Sequence, residues 1–541
     1  MAKKIVTMLF LLGMAFGIRW MAAREAYPTS GDGGHFVQYG VAMAHGHAKL
    51  NVYWSQAMVL AAAGAERIGL DPRRVLQGIS FVAGLLVVLL FARIATRLTR
   101  SWWWGMAAGL WAATNPTLTF YSVTGYSEMG YMAFLLGAVY VALDGNTSWK
   151  RDVFAGILLG IGGYFKGLDA AVAAVAFGAW RFWGNAEKRW NWKRAMIVPV
   201  VAFAVLFPLC AYTFSETGQF TPGSKGESNF LLGPGWKDSK VVYASDGLKT
   251  RSYAESFRAL PRQVVGNMHD FFQVANAQFF SRGLRLGTIW FGVLVAGVAW
   301  GLVRRRRIIF GNGGVLLVLL VGIQVGLMLL VFVHDRMLAP TLPWLALLGL
   351  LGTRECLDCL KGKARTVAML TFGGYCAVCG VYSFQVWRTE YAWWRYEHVI
   401  QVAEELALLG VEEEDVVMHY GPQLSIETHR ENPLRTVEVP YGSIEDVGRI
   451  AKEKGVRFAA ISDTWRGHWP IARIFDVGEA APADWMLRKE LVFEADEERG
   501  VPAERIRIYE VIQDSSMDGA PTESGGGESD GTGNEKEENE S

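Results

Sequence analysis

Charge is scarce in this chain. Asp, Glu, Lys and Arg make up 19% of its 541 residues, against about a quarter in ordinary soluble domains. The formal net charge is +1, which gives no sign of nucleic-acid binding; what matters is where the charges sit. Cysteine is scarce too, with five in all and none after Cys379, so no disulfide framework organises the C-terminal region. The pairs Cys356-x-x-Cys359 and Cys376-x-x-Cys379 do carry zinc-ribbon spacing. A zinc site needs both pairs together, yet the first falls in an expected inner loop and the second inside an expected membrane span. They read as small side chains in helix packing. The C-terminal region has no Gly-rich phosphate loop, so nucleotide binding finds no support there.

What is abundant is apolar. Hydrophobic residues reach 51%, and there are 21 Trp and 61 Gly; Trp collects at bilayer interfaces and Gly is frequent in spanning helices. Apolar runs near the ~20 residues that cross a bilayer core recur at 5–22, 76–96, 102–121, 127–143, 153–165, 168–183, 195–214, 286–303, 314–333, 338–352 and 366–386. The expected fold is therefore an all-α polytopic membrane protein of about eleven helices. Lys3 and Lys4 precede the first run, but no small-x-small cleavage site follows, so it reads as an uncleaved anchor.

Basic clusters set the orientation. With the N-terminus inside, every even-numbered helix ends on one: Arg93, Arg97 and Arg100; Lys150 and Arg151; Lys188, Arg189, Lys193 and Arg194; the run 304–307; and Arg354, Lys361, Lys363 and Arg365. Residues 1–386 then form the membrane domain, with long outer loops at 23–75 and 215–285. Residues 387–513 form a small α/β domain on the outer face, and 514–541 a disordered acidic tail. In that α/β domain an amphipathic helix ends near Gly410, strands run over 416–420, 456–461 and 505–511, and a helix spans 444–454. The expected location is the cytoplasmic (inner) membrane, with the C-terminal domain outside.

Polar residues set among apolar runs concentrate on the outer side, where a charge at the membrane edge is a functional candidate by default. Asp32 lies in Ser30-Gly31-Asp32-Gly33-Gly34, where flanking glycines let backbone approach a ligand. It suits a general base or a metal ligand, and equally a turn or helix cap. Glu128 opens the fourth span, where the helix dipole favours a carboxylate. Lys166 and Asp169 share a turn otherwise flanked by apolar sequence. His334, Asp335 and Arg336 precede Pro340 and Pro343, and the planar guanidinium of Arg336 suits a phosphate, or a structural pair with Asp335. His35, His45 and His47 read as packing or interfacial residues.

Taken in order, these features resemble the GT-C glycosyltransferases, within them the protein O-mannosyltransferase and aminoarabinose lipid A transferase group (family 39-like). The resemblance rests on Asp32 with Ala42 and Gly46, the stretch from Asn115 to Glu128, Lys166 with Asp169, the segment from Thr217 to Lys225, and His334 with Arg336. It implies transfer of a sugar from a polyprenyl-phosphate donor to an acceptor glycan, lipid or protein at the outer face of the membrane, within the cell envelope. On that resemblance Asp32 and Glu128 are the catalytic acids, Lys166, Lys225 and Arg336 meet the donor phosphate, and Asp169 and His334 support them. A divalent metal is left open as a cofactor. The rival reading is a transporter or flippase for a lipid-linked precursor; against it, the hydropathy shows no internal repeat and no matched pair of interrupted helices.

Overall fold

The computed structural model describes residues 2–143 (except 27 and 30), 148–183, 192–223, 225–233, 251–280, 314–359 (except 332 and 334), single positions between 362 and 381, and 396–513 (except 420, 466–468, 477 and 496–502). The expected span at 286–303, most of that at 366–386, the basic run 304–307, His334 and the tail 514–541 lie outside the described residues, as do the side chains of Cys356, Cys359, Cys376 and Cys379.

The N-terminal part is helical. Among the described residues three helices are long and apolar enough to cross a membrane: α1 (Ala2–Glu25), α4 (Pro72–Thr99) and α10 (Trp192–Thr217). Between α1 and α4 lie α2 (Asp32–Ala44) and α3 (Gln56–Arg67); after α4 come α5 (Trp102–Thr114), α6 (Pro116–Val123), α7 (Ser127–Ala142), α8 (Trp149–Phe165) and α9 (Gly167–Trp183). Beyond α10 are α11 (Lys225–Leu232), α12 (Tyr253–Phe280), α13 (Gly314–Leu330), the short α14 (Asp335–Leu338) and α15 (Leu342–Cys359). Val82 and Leu86 on α4, and Phe203 and Phe207 on α10, point outward and are exposed, as lipid-facing side chains are. The chain is an integral membrane protein.

Two expected boundaries need correction. The run 102–121 is not one span but two helices, α5 and α6, because Pro116 has no N–H to continue the ladder; Asn115 instead caps α6, its Oδ1 accepting from Leu118 N at 3.0 Å. The break leaves the Ala112 carbonyl without its usual partner. Arg19, fully buried in α1, fills the gap: Nη2 donates to Ala112 O (3.2 Å), Nη1 to Ala113 O (3.1 Å) and Nε to Ser122 Oγ (3.1 Å). The turn expected over 166–169 shrinks to Lys166 alone. It ends α8 and starts α9, its N–H donating to Gly162 O and its carbonyl accepting from Ala170 N. Close packing of small residues holds these helices together: Gly156 and Gly160 of α8 face Val201 and Val205 of α10 so tightly that a Cβ would collide.

The C-terminal α/β unit opens with α16 (Tyr396–Leu408), ended by Gly410 at φ 80°. It continues through β1 (Val416–His419), α17 (Gln423–Thr428), β2 (Thr436–Glu438), α18 (Ile444–Glu453), β3 (Val456–Ser462), β4 (Trp485–Phe493) and β5 (Glu504–Val511). The sheet order is β2-β1-β3-β5-β4, with β2, β1 and β3 parallel and β5 and β4 antiparallel. The three strands expected from sequence are present. The short β2 and the outward-facing β4, whose central residues are exposed, lack the apolar run that would announce a strand. Alternate strand faces bury separate clusters, Met418, Ile461 and Tyr509 on one and Val417, Phe458 and Ile508 on the other. The unit sits directly on α2, where Gln38 Nε2 donates to Pro433 O (2.7 Å) and Ser425 Oγ (3.2 Å). Arg73, in the first turn of α4, pairs with Glu427 of α17.

Candidate active site

Five of the charged residues singled out from sequence, and Lys225 with them, form one unbroken chain of ion pairs. Lys225 Nζ lies 2.8 Å from Asp32 Oδ2. Arg336 bridges Asp32 and Glu128. Lys166 Nζ is 3.2 Å from Glu128 Oε1 and 3.9 Å from Asp169 Oδ2. The members come from α2, the start of α7, the α8–α9 junction, the first residue of α11 and α14. Glu128 is fully buried and its Oε2 has no hydrogen-bond partner; Asp32, Lys166 and Arg336 are partly exposed.

Local structure explains why they meet. Gly31 adopts φ 50° and a Cβ there would strike the Tyr126 hydroxyl; one on Gly33 would press on the Thr124 carbonyl, and one on Gly34 on Pro422. The glycines therefore let α2 settle onto the chain's own turn at 124–126, and onto the C-terminal unit, rather than onto a ligand as the sequence suggested. Nor does Asp32 cap a helix: it is the first residue of α2, and its carboxylate goes to Lys225 and Arg336. α4 holds the opposing turn, with Gln77 Nε2 donating to Val123 O (3.0 Å) and Ser80 Oγ to Tyr126 O (2.9 Å). On the other side Gln263 and Asn267 of α12 donate to the free carbonyls that end α13, among them Leu330 O and Leu329 O, which fixes the start of the segment leading to Arg336.

Arg336 therefore takes Asp32 and Glu128 as partners, whereas the sequence had offered Asp335, whose side chain lies outside the described residues. Aromatic faces complete the site: the Lys225 ammonium sits 4.4 Å from the Trp54 ring centroid and 5.1 Å from that of Tyr53, and the Arg336 guanidinium 5.0 Å from Tyr126. Such contacts steady cations. Trp54 and Tyr126 were missed from sequence, since nothing but the tertiary fold brings them here. Burial alone would raise the Asp32 pKa, but the charges of Arg336 and Lys225 outweigh it and hold the carboxylate well below its usual range.

Arg336 stands between the two carboxylates as their shared partner, and among the described residues no three His, Cys, Asp or Glu side chains cluster as ligands. What the arrangement offers is cationic groups at the ends of apolar helices, alternating with carboxylates, where a phosphate could exchange for a carboxylate partner.

Comparison with solved structures gives the fold. The chain resembles the ArnT protein of Cupriavidus metallidurans bound to undecaprenyl phosphate (12% identity, TM-score 0.52, covering 93% of this chain and 97% of that one). The apo state of the same protein gives 11% identity, a TM-score of 0.53 and the same coverage. It also resembles the oligosaccharyltransferase of Archaeoglobus fulgidus tethered with an acceptor peptide containing the NVT sequon (12%, 0.52, 87% and 72%). No protein-family model and no curated protein matches the chain. The fold is thus the GT-C glycosyltransferase fold that the sequence resemblance implied.

Proposed function

We propose that the chain is a membrane glycosyltransferase that moves a sugar from a polyprenyl-phosphate-linked donor to an acceptor at the outer face of the membrane, with Asp32 as the base. The observation that carries this reading is the convergence of Lys225, Asp32, Arg336, Glu128 and Lys166 in one ion-paired cluster within a fold shared with lipid-dependent sugar transferases. Lys225, Arg336 and Lys166 would meet the donor phosphate. A lipid-linked donor cannot leave the bilayer, so fixed positive groups must reach its phosphate at the membrane edge. As the sugar–phosphate bond breaks, negative charge grows on the departing phosphate, and preorganised cations lower that barrier. Asp32 accepts the proton of the acceptor hydroxyl as the hydroxyl oxygen attacks the anomeric carbon, with inversion there. Glu128 holds Arg336 and Lys166 and orients the acceptor; Asp169 supports the cations, a role also assigned to His334, two positions before Arg336 in the sequence. The N-terminus would lie inside the cytoplasmic membrane's inner face and the C-terminal unit outside.

The deciding experiment is transfer of radiolabelled sugar from polyprenyl-phosphate donors by purified protein. Wild type should transfer, and Asp32→Asn should lose at least about a hundredfold, the contribution expected of a positioned base. Full activity in both folded Asp32→Asn and Arg336→Ala would sink the assignment. No transfer by wild type with any donor tried would favour the flippase reading, to be followed by lipid-translocation assays.

A further inference from the structure

Two side chains of α2, His35 about one turn and Gln38 nearly two turns beyond Asp32, lie outside the ion-pair chain, and both face the C-terminal unit. Gln38 is 4% exposed. Its amide nitrogen donates to Pro433 O and Ser425 Oγ, and a backbone carbonyl can only accept, so the amide orientation is fixed. Its Oε1 therefore faces His35 Nδ1 at 3.2 Å as an acceptor, making Nδ1 the protonated nitrogen. Nε2 of the same ring turns toward Glu438 of β2 at 3.7 Å. So held, the His35 ring stacks on Trp54, with centroids 4.6 Å apart and planes 11° from parallel. Trp54 is the ring beneath the Lys225 ammonium.

We propose that His35 and Gln38 are positioning residues, through which the seat of the C-terminal unit on α2 fixes Trp54 and hence Lys225. Neither touches the ion-paired cluster; both act through the indole. An indole held flat against a fixed imidazole presents its face to Lys225 in one orientation. Phe36 and Tyr53 also meet the indole edge to face and Tyr39 hydrogen-bonds to it. Loss of the imidazole therefore loosens the tilt of the ring without freeing it, and the ammonium loses part of the surface that keeps it over Asp32. The geometry makes the C-terminal unit part of the cation site's scaffold, although none of the proposed site residues belongs to it. This inference rests on the reading that Lys225 meets the donor phosphate.

The test is a double-mutant cycle on binding of undecaprenyl phosphate to the purified full-length protein in detergent. His35→Ala and Gln38→Leu should each weaken binding about five- to tenfold, with a smaller effect from Ser425→Ala, which leaves the Pro433 bond. In a Lys225→Met background the same changes should have almost no further effect, because contacts acting through one group are not additive. In transfer assays the donor KM should rise and the acceptor KM stay unchanged. Melting temperature, measured on every variant, separates this from misfolding. If wild type binds the lipid and the losses simply add to that of Lys225→Met, or are absent, the relay is overturned while the proposed function stands. If wild type binds no polyprenyl phosphate, both fall.

Discussion

At the scale of single residues, Arg336 has the most to hold. It is the shared partner of Asp32 and of Glu128, which is fully buried with one oxygen unpartnered. Arg336→Met would leave buried Glu128 with Lys166 as its one cation among the described residues, and should lower the melting temperature of the purified protein, with a loss of up to about 3–5 kcal/mol of stability. Adding Glu128→Gln should recover part of that loss, since a neutral amide is cheaper to bury alone; no recovery would mean that the pair does not carry the stability. Asp32, Glu128, Lys166 and Arg336 were legible in the sequence because a charge inside an apolar run stands out. Arg19 was not. It sits in the basic and aromatic flank that follows an anchor, and only the distant break at Pro116 gives it carbonyls to satisfy. Trp54 was hidden for the same reason, since a stacking partner leaves no trace in spacing; His35, read from sequence as a packing residue, does pack, on that indole.

Elements show where periodicity suffices and where it stops. The long helices α4 and α10 could be placed from apolar length alone, but the α5–α6 break turned on one missing N–H at Pro116. Arg19 repairs that break, so Arg19→Met should destabilise the membrane domain by about 1–3 kcal/mol for each stranded carbonyl, read as a lower melting temperature in detergent. A variant melting with wild type would show that water or another donor serves instead. In the C-terminal unit, α17 ends at His429, which is buried with Nε2 donating to the Asp415 carbonyl at 3.0 Å. Burial pushes this imidazole below its usual pKa, against the hydrogen bond to Asp415. A histidine kept neutral by folding stabilises fully above its unfolded value, about 6.5. That stability is lost as pH falls below it, and levels off once the lowered folded value is passed. Hydrogen exchange over 416–438 should therefore speed up, relative to its intrinsic rate, between pH 7 and 5.5. His429→Gln should flatten the dependence, and an unchanged slope would assign it to another group.

For the whole molecule, the arrangement of charge decides the orientation in the membrane. On the proposed reading, basic clusters at alternate helix ends would put the C-terminal unit outside, together with the face that carries the ion-paired cluster. Single cysteines introduced at Lys454 and at Lys150 in a cysteine-free background give the check. Lys454→Cys should react with a membrane-impermeant maleimide on intact cells, and Lys150→Cys only after permeabilisation; the reverse pattern would invert the topology. The general architecture, helices followed by an α/β unit, could be read from the order of apolar and mixed segments. The docking of that unit on α2 could not. It depends on Gln38, Ser425 and Pro433 meeting across nearly 400 residues of chain, and a glutamine in an apolar helix looks like any other.

The site is electrically balanced, with Lys225, Arg336 and Lys166 set against Asp32, Glu128 and Asp169. The proposed base is thus silenced by the same cations that would receive the donor. A hydroxyl arriving first, whether acceptor or water, meets a carboxylate already committed on two sides. A donor phosphate arriving first draws those cations to itself and sets the carboxylate free. Steady-state kinetics on this reading are ordered, donor before acceptor, and the spent carrier phosphate competes with fresh donor while no acceptor analogue does.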